Sequence, residues 1–187
     1  MNTTRIILAS GSPRRKEILQ KYNLDFTIEI SDVDETHSDM SPAQLVEDLS
    51  YKKAMAVFNN HPEDIVIGAD TVVAFNDEIF EKPIDDDDAY RMINLLQGDC
   101  HQVYTGVTIC SPNNIVTFSE KTDVYVRDMN DYDIREYISS GEGNDKAGSY
   151  AIQGIFSKYI DRYEGDYENV VGLPGKRVTE ELFKILK

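Results

Sequence analysis

The chain has 187 residues, 41% of them hydrophobic and 10% aromatic, and a formal net charge of -15. That length suits one domain, and the apolar share supports a packed core, which argues against wholesale disorder. The acidity argues against a nucleic-acid binder, because phosphate-backbone affinity needs a basic face, yet a small anionic ligand needs only a local pocket.

Arg5 to Ala9 reads as a first strand. It stops at Ser10-Gly11-Ser12, and Pro13 starts a helix to Tyr22 with Ser12 as N-cap. This junction offers helix N-terminal N–H groups, two hydroxyls and the guanidiniums of Arg14 and Arg15, all suited to phosphate. Phe26 to Ile30 is a short strand. Asp32, Asp34 and Glu35, with the later run Asp85 to Asp88, are candidate ligands for divalent cations. Ser41-Pro42 opens a second helix running to about Asn59. Its Leu45, Val46, Leu49, Ala56 and Val57 form one apolar stripe, and Lys53 falls inside it. A lysine there must snorkel or meet an anion.

Ile65 to Phe75 reads as a strand closed by the turn pair Asn76-Asp77. Asp70 interrupts this apolar run, where an unpaired carboxylate is costly. It is either a backbone-bonded residue at a bulge or a metal ligand or general base; the second is favoured because buried ionisable groups cluster at sites. Pro83 holds Lys82 extended. Asp85 to Asp88 reads as a solvated helix start, opening a helix from Asp86 to Gln97 that ends at Gly98. His101 to Cys110 and Ile115 to Arg127 form a hairpin. Cys100 and Cys110 lack metal-site spacing and read as ordinary half-buried thiols. Asp131 to Ser139 is helical, followed by a glycine-rich loop from Gly141 to Gly154. Such a loop is usually a mobile connection. Its Gln153 has a donor and an acceptor side by side, matching the O4 and N3–H edge of uracil or thymine. Ile155 to Tyr163 reads as extended and Pro174 to Lys187 as a closing helix. Without strict βαβ alternation, the expected fold is an α/β sheet of mixed direction. No signal-like or membrane-spanning run is present, so no membrane and a cytoplasmic setting are expected.

Taken in order, several segments resemble the Maf family of nucleoside triphosphate pyrophosphatases. They are Ala9 to Arg15, Val33-Asp34-Glu35, Lys53-Ala54, Gly68 to Val73, Glu81-Lys82-Pro83, His101-Gln102-Val103 with Thr105-Gly106-Val107, Asp145 to Gly148, Ile152-Gln153-Gly154, and Asn169 to Pro174. They span nearly the whole chain. The resemblance implies one domain over residues 1–187, with an elongated mixed sheet flanked by helices and an active-site cleft between two lobes. It implies a cytoplasmic homodimer that cleaves a nucleoside triphosphate to monophosphate and pyrophosphate.

The Lys146-Ala147-Gly148 and Ile152-Gln153-Gly154 pattern resembles the branch acting on dTTP and UTP, with some CTP activity. By match, Asp70 falls on the proton acceptor, and Arg14, Thr71 and Gln153 fall on specificity positions. The chemistry then assigns Mg²⁺ or Mn²⁺ to Asp70 and Glu35, charge stabilisation to Lys53, Lys82, Arg14 and Arg15, and the phosphate tail to Ser10 and Ser12. Ser149 and Ala151 depart from the Ala and Gly common in that branch, and Gly175-Lys176-Arg177 replaces an apolar continuation. A cell-division interaction protein and a hydrolase of non-canonical purine triphosphates are the alternatives.

Overall fold

The order of elements follows from local signals that the chain places with little ambiguity. The computed structural model describes residues 4–37 and 39–187. Strand β1 (Ile6–Leu8) runs into α1 (Pro13–Lys21), where the Ser12 side chain accepts from the Arg15 N–H and Pro13 occupies the first turn. After β2 (Thr27–Ile28), helix α2 (Pro42–Phe58) begins with a reciprocal capping box between Ser41 and Gln44. Strand β3 (Ile65–Phe75) is buried along nearly all its length. Asn76 and Asp77, both at positive φ (48° and 63°), turn it back into β4 (Glu78–Phe80). Helix α3 (Asp86–Leu96) is capped by Asp85, so the acidic run serves as a helix start.

Strands β5 (Cys100–Ser111) and β6 (Asn114–Val126) are joined by two residues. Helix α4 (Asp131–Ser139), β7 (Ile160–Glu164), α5 (Tyr167–Val171) and α6 (Gly175–Ile185) complete the chain.

Among the described residues, seven strands form one sheet in the order β2-β1-β3-β5-β6-β7, with β4 paired to β3. β1 is parallel to both β2 and β3, whereas the β3–β4 and β6–β7 pairs are antiparallel, so the sheet is mixed as expected. One expectation is corrected. Ile155 to Tyr163 is not extended throughout, because Ile155–Tyr159 forms a 3₁₀ turn and only Ile160–Glu164 is strand. Buried Phe156 and Tyr159 sit three apart, the spacing that puts two side chains on one face of such a turn. Strand β4 and helix α5 are too short for sequence periodicity to reveal.

The chain divides into two compact units. The first comprises residues 1–70, 105–120 and 172–187, and the second residues 71–104 and 121–171. In the first, Ile7, Ala9, Ala54, Val57, Val66 and Cys110 pack into a core. In the second, a larger core gathers around Phe80, Ile93, Leu96, Val124 and Phe156. Two glycines of the first unit seat α2 directly on the sheet. A Cβ on Gly68 would lie 2.5 Å from the Ser50 carbonyl oxygen and 2.6 Å from the Ala54 nitrogen. One on Gly106 would lie 2.1 Å from the Val46 carbonyl oxygen. Val46, Ser50 and Ala54 lie four apart, one above the other on a single helix face. Among the described residues, no helix is long and apolar enough to cross a membrane.

Candidate active site

The chemistry-bearing groups of the first unit converge on the end of β1 and the middle of β3. Seating α2 on Gly68 brings Lys53, one residue before Ala54, over Asp70. The Lys53 Nζ donates to Asp70 Oδ1 at 2.7 Å and reaches Glu35 Oε1 at 3.0 Å. Of the two outcomes open to a lysine in an apolar stripe, the structure has the anionic partner, and there are two of them. The Asp70 side chain, 12% exposed, is paired with the Lys53 side chain, which is 14% exposed. Glu35 is 55% exposed, so its side of the cluster opens to solvent. A buried ion pair is weak evidence for stability, because desolvation opposes the attraction. Two carboxylates around one ammonium are better read as a polar site.

The β1–α1 turn supplies the second half. Ser10 is buried, and its Oγ accepts from the Ser12 N–H at 3.3 Å and from Arg15 Nη1 at 3.2 Å. Arg15 also donates from Nη1 to the Ala69 carbonyl at 2.9 Å and from Nε to the Gly172 carbonyl at 2.8 Å. One guanidinium thus ties the phosphate-type turn, the residue before Asp70 and the approach to α6. Burial works against its charge, and the Asp70 carboxylate is the largest opposing influence. Arg14, beside it, is half-buried.

Ser10, Ser12, Arg14, Arg15, Glu35, Lys53 and Asp70 all belong to the first unit. Thr71, Lys82 and Gln153 belong to the second, where Lys82 and Gln153 are exposed and Thr71 is half-buried. Two of the remaining acidic candidates, Asp34 and Asp88, have other partners. The Asp34 carboxylate accepts from the N–H and hydroxyl of Thr36, which holds its pKa below the usual range. Asp88 accepts from Arg91 and from the Ile84 N–H. Cys110 is buried, and burial pushes its thiol up to about 11; half-buried Cys100 is raised by the same cause. Both behave as inert thiols.

The family departures have structural correlates. Arg177 donates to the Ser119 carbonyl at 3.2 Å and lies over the Phe118 ring at 4.2 Å. Ser149 is buried at positive φ (60°).

A sequence model of the Maf-like protein family matches residues 5–185. A protein of Geobacillus sp., 47% identical over 97% of this chain and 98% of its own length, is named dTTP/UTP pyrophosphatase. So is one of Koribacter versatilis, 48% identical over 92% of this chain and 90% of its own, and one of Bacillus cereus, 46% identical over 95% and 94%. The solved structure of the Staphylococcus aureus Ham1 protein superposes with a TM-score of 0.48 at 14% identity, covering 83% of this chain and 93% of that one.

Proposed function

The chain belongs to the Maf family, and from that premise we propose that it hydrolyses dTTP and UTP to the nucleoside monophosphate and pyrophosphate. The observation that carries the reading is the Lys53 ammonium shared by Asp70 and Glu35, in a chain whose relatives at 46% to 48% identity bear that name. Its catalytic domain comprises the whole chain, acting as a cytoplasmic homodimer on a nucleoside triphosphate.

Asp70 and Glu35 fit a Mg²⁺ or Mn²⁺ ion. They are hard oxygen donors around one cationic group, and Mg²⁺ takes one or two protein carboxylates together with substrate phosphates. Among the described residues, no group of three or more His, Cys, Asp or Glu is placed to hold a metal; Asp70 and Glu35 would hold the ion together with substrate phosphate oxygens. When bound, the ion neutralises phosphate charge and polarises the reacting phosphoryl group.

The chain's own residues do the rest. Asp70 orients the attacking water and accepts its proton as the new oxygen–phosphorus bond forms at the α-phosphorus. The bond from that phosphorus to the bridging oxygen breaks, and pyrophosphate leaves. Lys53, Lys82 and Arg14 stabilise charge on the phosphates. Ser10 and Ser12, with the N–H groups of the turn, hold the phosphate tail. Arg15 keeps Ser10 and the backbone beside Asp70 in place. Thr71 and Gln153 orient the base.

A panel of nucleoside triphosphates with Mg²⁺, assayed for pyrophosphate, tests the reading. Release from dTTP and UTP supports it. Release from inosine or xanthosine triphosphate alone, or none from any nucleotide, overturns it.

A further inference from the structure

The loop carrying Gln153 is held on both sides by buried or half-buried groups, none of which has a role in the reaction above. Upstream, the Tyr150 hydroxyl meets His101 Nε2 at 2.7 Å, with both side chains buried. Downstream, the Glu142 carboxylate accepts from the Ile155 N–H through Oε1 at 2.6 Å and from the Phe156 N–H through Oε2 at 3.2 Å. The residue between Gln153 and this pair is Gly154. A Cβ there would lie 1.9 Å from Glu142 Oε1, so the carboxylate occupies the space a side chain would need. Gly154 has φ -99° and ψ -149°. Its glycine therefore answers to the carboxylate and not to a left-handed backbone. Ile152 and Phe156 are buried on either side, while Gln153 itself is exposed.

A carboxylate with both oxygens on successive backbone N–H groups is a strong, directional restraint. Here it sets the backbone immediately after a side chain whose use depends on where its amide points. We propose that Glu142, with Gly154 as its seat, is a positioning residue that presents the Gln153 carboxamide to the base and so sets selection for uracil and thymine. The proposal rests on the base-reading role given to Gln153. Glu142 touches no substrate; it acts through the backbone of Gly154 and Ile155.

The test compares kcat/KM for dTTP with kcat/KM for an abasic deoxyribose triphosphate, a probe with the same phosphates and no base. In Glu142→Gln, one oxygen becomes an NH₂ that cannot accept from a backbone N–H. The dTTP-to-abasic ratio is expected to fall about 10- to 100-fold, mainly through KM for dTTP, as expected for a binding group displaced by a fraction of an ångström to an ångström. Gly154→Ala, which expels the carboxylate by a different route, should lower the ratio similarly. Added to Glu142→Ala, it should change the ratio by less than about twofold, because the two act through one contact. A general structural role would lower both substrates in proportion and leave the ratio alone; that result, or a wild-type ratio in both single variants, overturns the proposal. Gln153→Ala, measured alongside, separates the two ideas. If it collapses the ratio while the Glu142 and Gly154 variants do not, base reading stands and the positioning role is refuted. If Gln153→Ala leaves the ratio at the wild-type value, base reading fails and the positioning role falls with it.

Discussion

Replacing Gly68 with alanine adds one methyl group where β3 and α2 meet backbone to backbone. The new Cβ would lie 2.5 Å from the Ser50 carbonyl oxygen, 2.6 Å from the Ala54 nitrogen and 2.9 Å from the Ala54 Cβ, and ordinary contact begins at 3.4 Å. Two of these three atoms are main chain, so no rotamer change relieves the overlap. Helix α2 must retreat by roughly 1 Å, and overpacking of this kind costs about 1–3 kcal/mol. Lys53 precedes Ala54 on the same helix, so its 2.7 Å contact with Asp70 is strained by the same movement. A displacement of about 1 Å in a catalytic group costs on the order of 10²-fold in rate. The expected outcome is a thermal midpoint lowered by about 2–12 °C and a kcat for dTTP lowered about 10- to 100-fold, measured well below the midpoint so that the variant is folded. Wild-type kcat in a destabilised Gly68→Ala protein would refute the claim that the seating of α2 sets the Lys53–Asp70 geometry.

Three further outcomes follow from the site and its surroundings. Asp70→Asn should lower turnover by about 10²–10⁴-fold with an unchanged circular-dichroism spectrum; residual activity near that of the wild type would remove Asp70 from the role of base. Chelation of divalent metal should abolish pyrophosphate release yet leave the thermal midpoint in place, since no protein-only cluster of three or more ligands exists among the described residues; a large fall in the midpoint would point to a structural ion. His101 is fully buried, and burial pushes its pKa down to about 3 from 6.5. Between those values the unfolded chain binds the extra proton, so stability contributed by the neutral ring is complete above about pH 6.5 and is lost as pH falls toward 3. Urea midpoints followed from pH 7 to pH 4 should show His101→Gln losing less stability than the wild type, by up to about 1.4 kcal/mol per pH unit. Parallel curves would refute the buried neutral histidine.

What the sequence by itself determined is whatever depends on a few neighbouring residues. Ser12-Pro13 starts α1, Ser41 and Gln44 cap α2, Asp85 caps α3, and the apolar run from Ile65 to Phe75 is a strand from its first residue to its last. Each rests on a local hydrogen bond or an unbroken apolar run, which chain order alone specifies. Lys53 and Asp70 were also legible as misfits, because each places charge in an apolar pattern. Their partners were not. Lys53 finds Asp70 seventeen residues away because Gly68 lets α2 touch β3. Arg15 reaches a carbonyl at Gly172, 157 residues on. Glu142 holds Ile155 and Phe156 through main-chain N–H groups, which every non-proline residue possesses and no sequence pattern marks. Tertiary structure decides these pairings because a side chain's polarity announces that it needs a partner, whereas only the packing of elements against one another brings a particular partner within 3 Å.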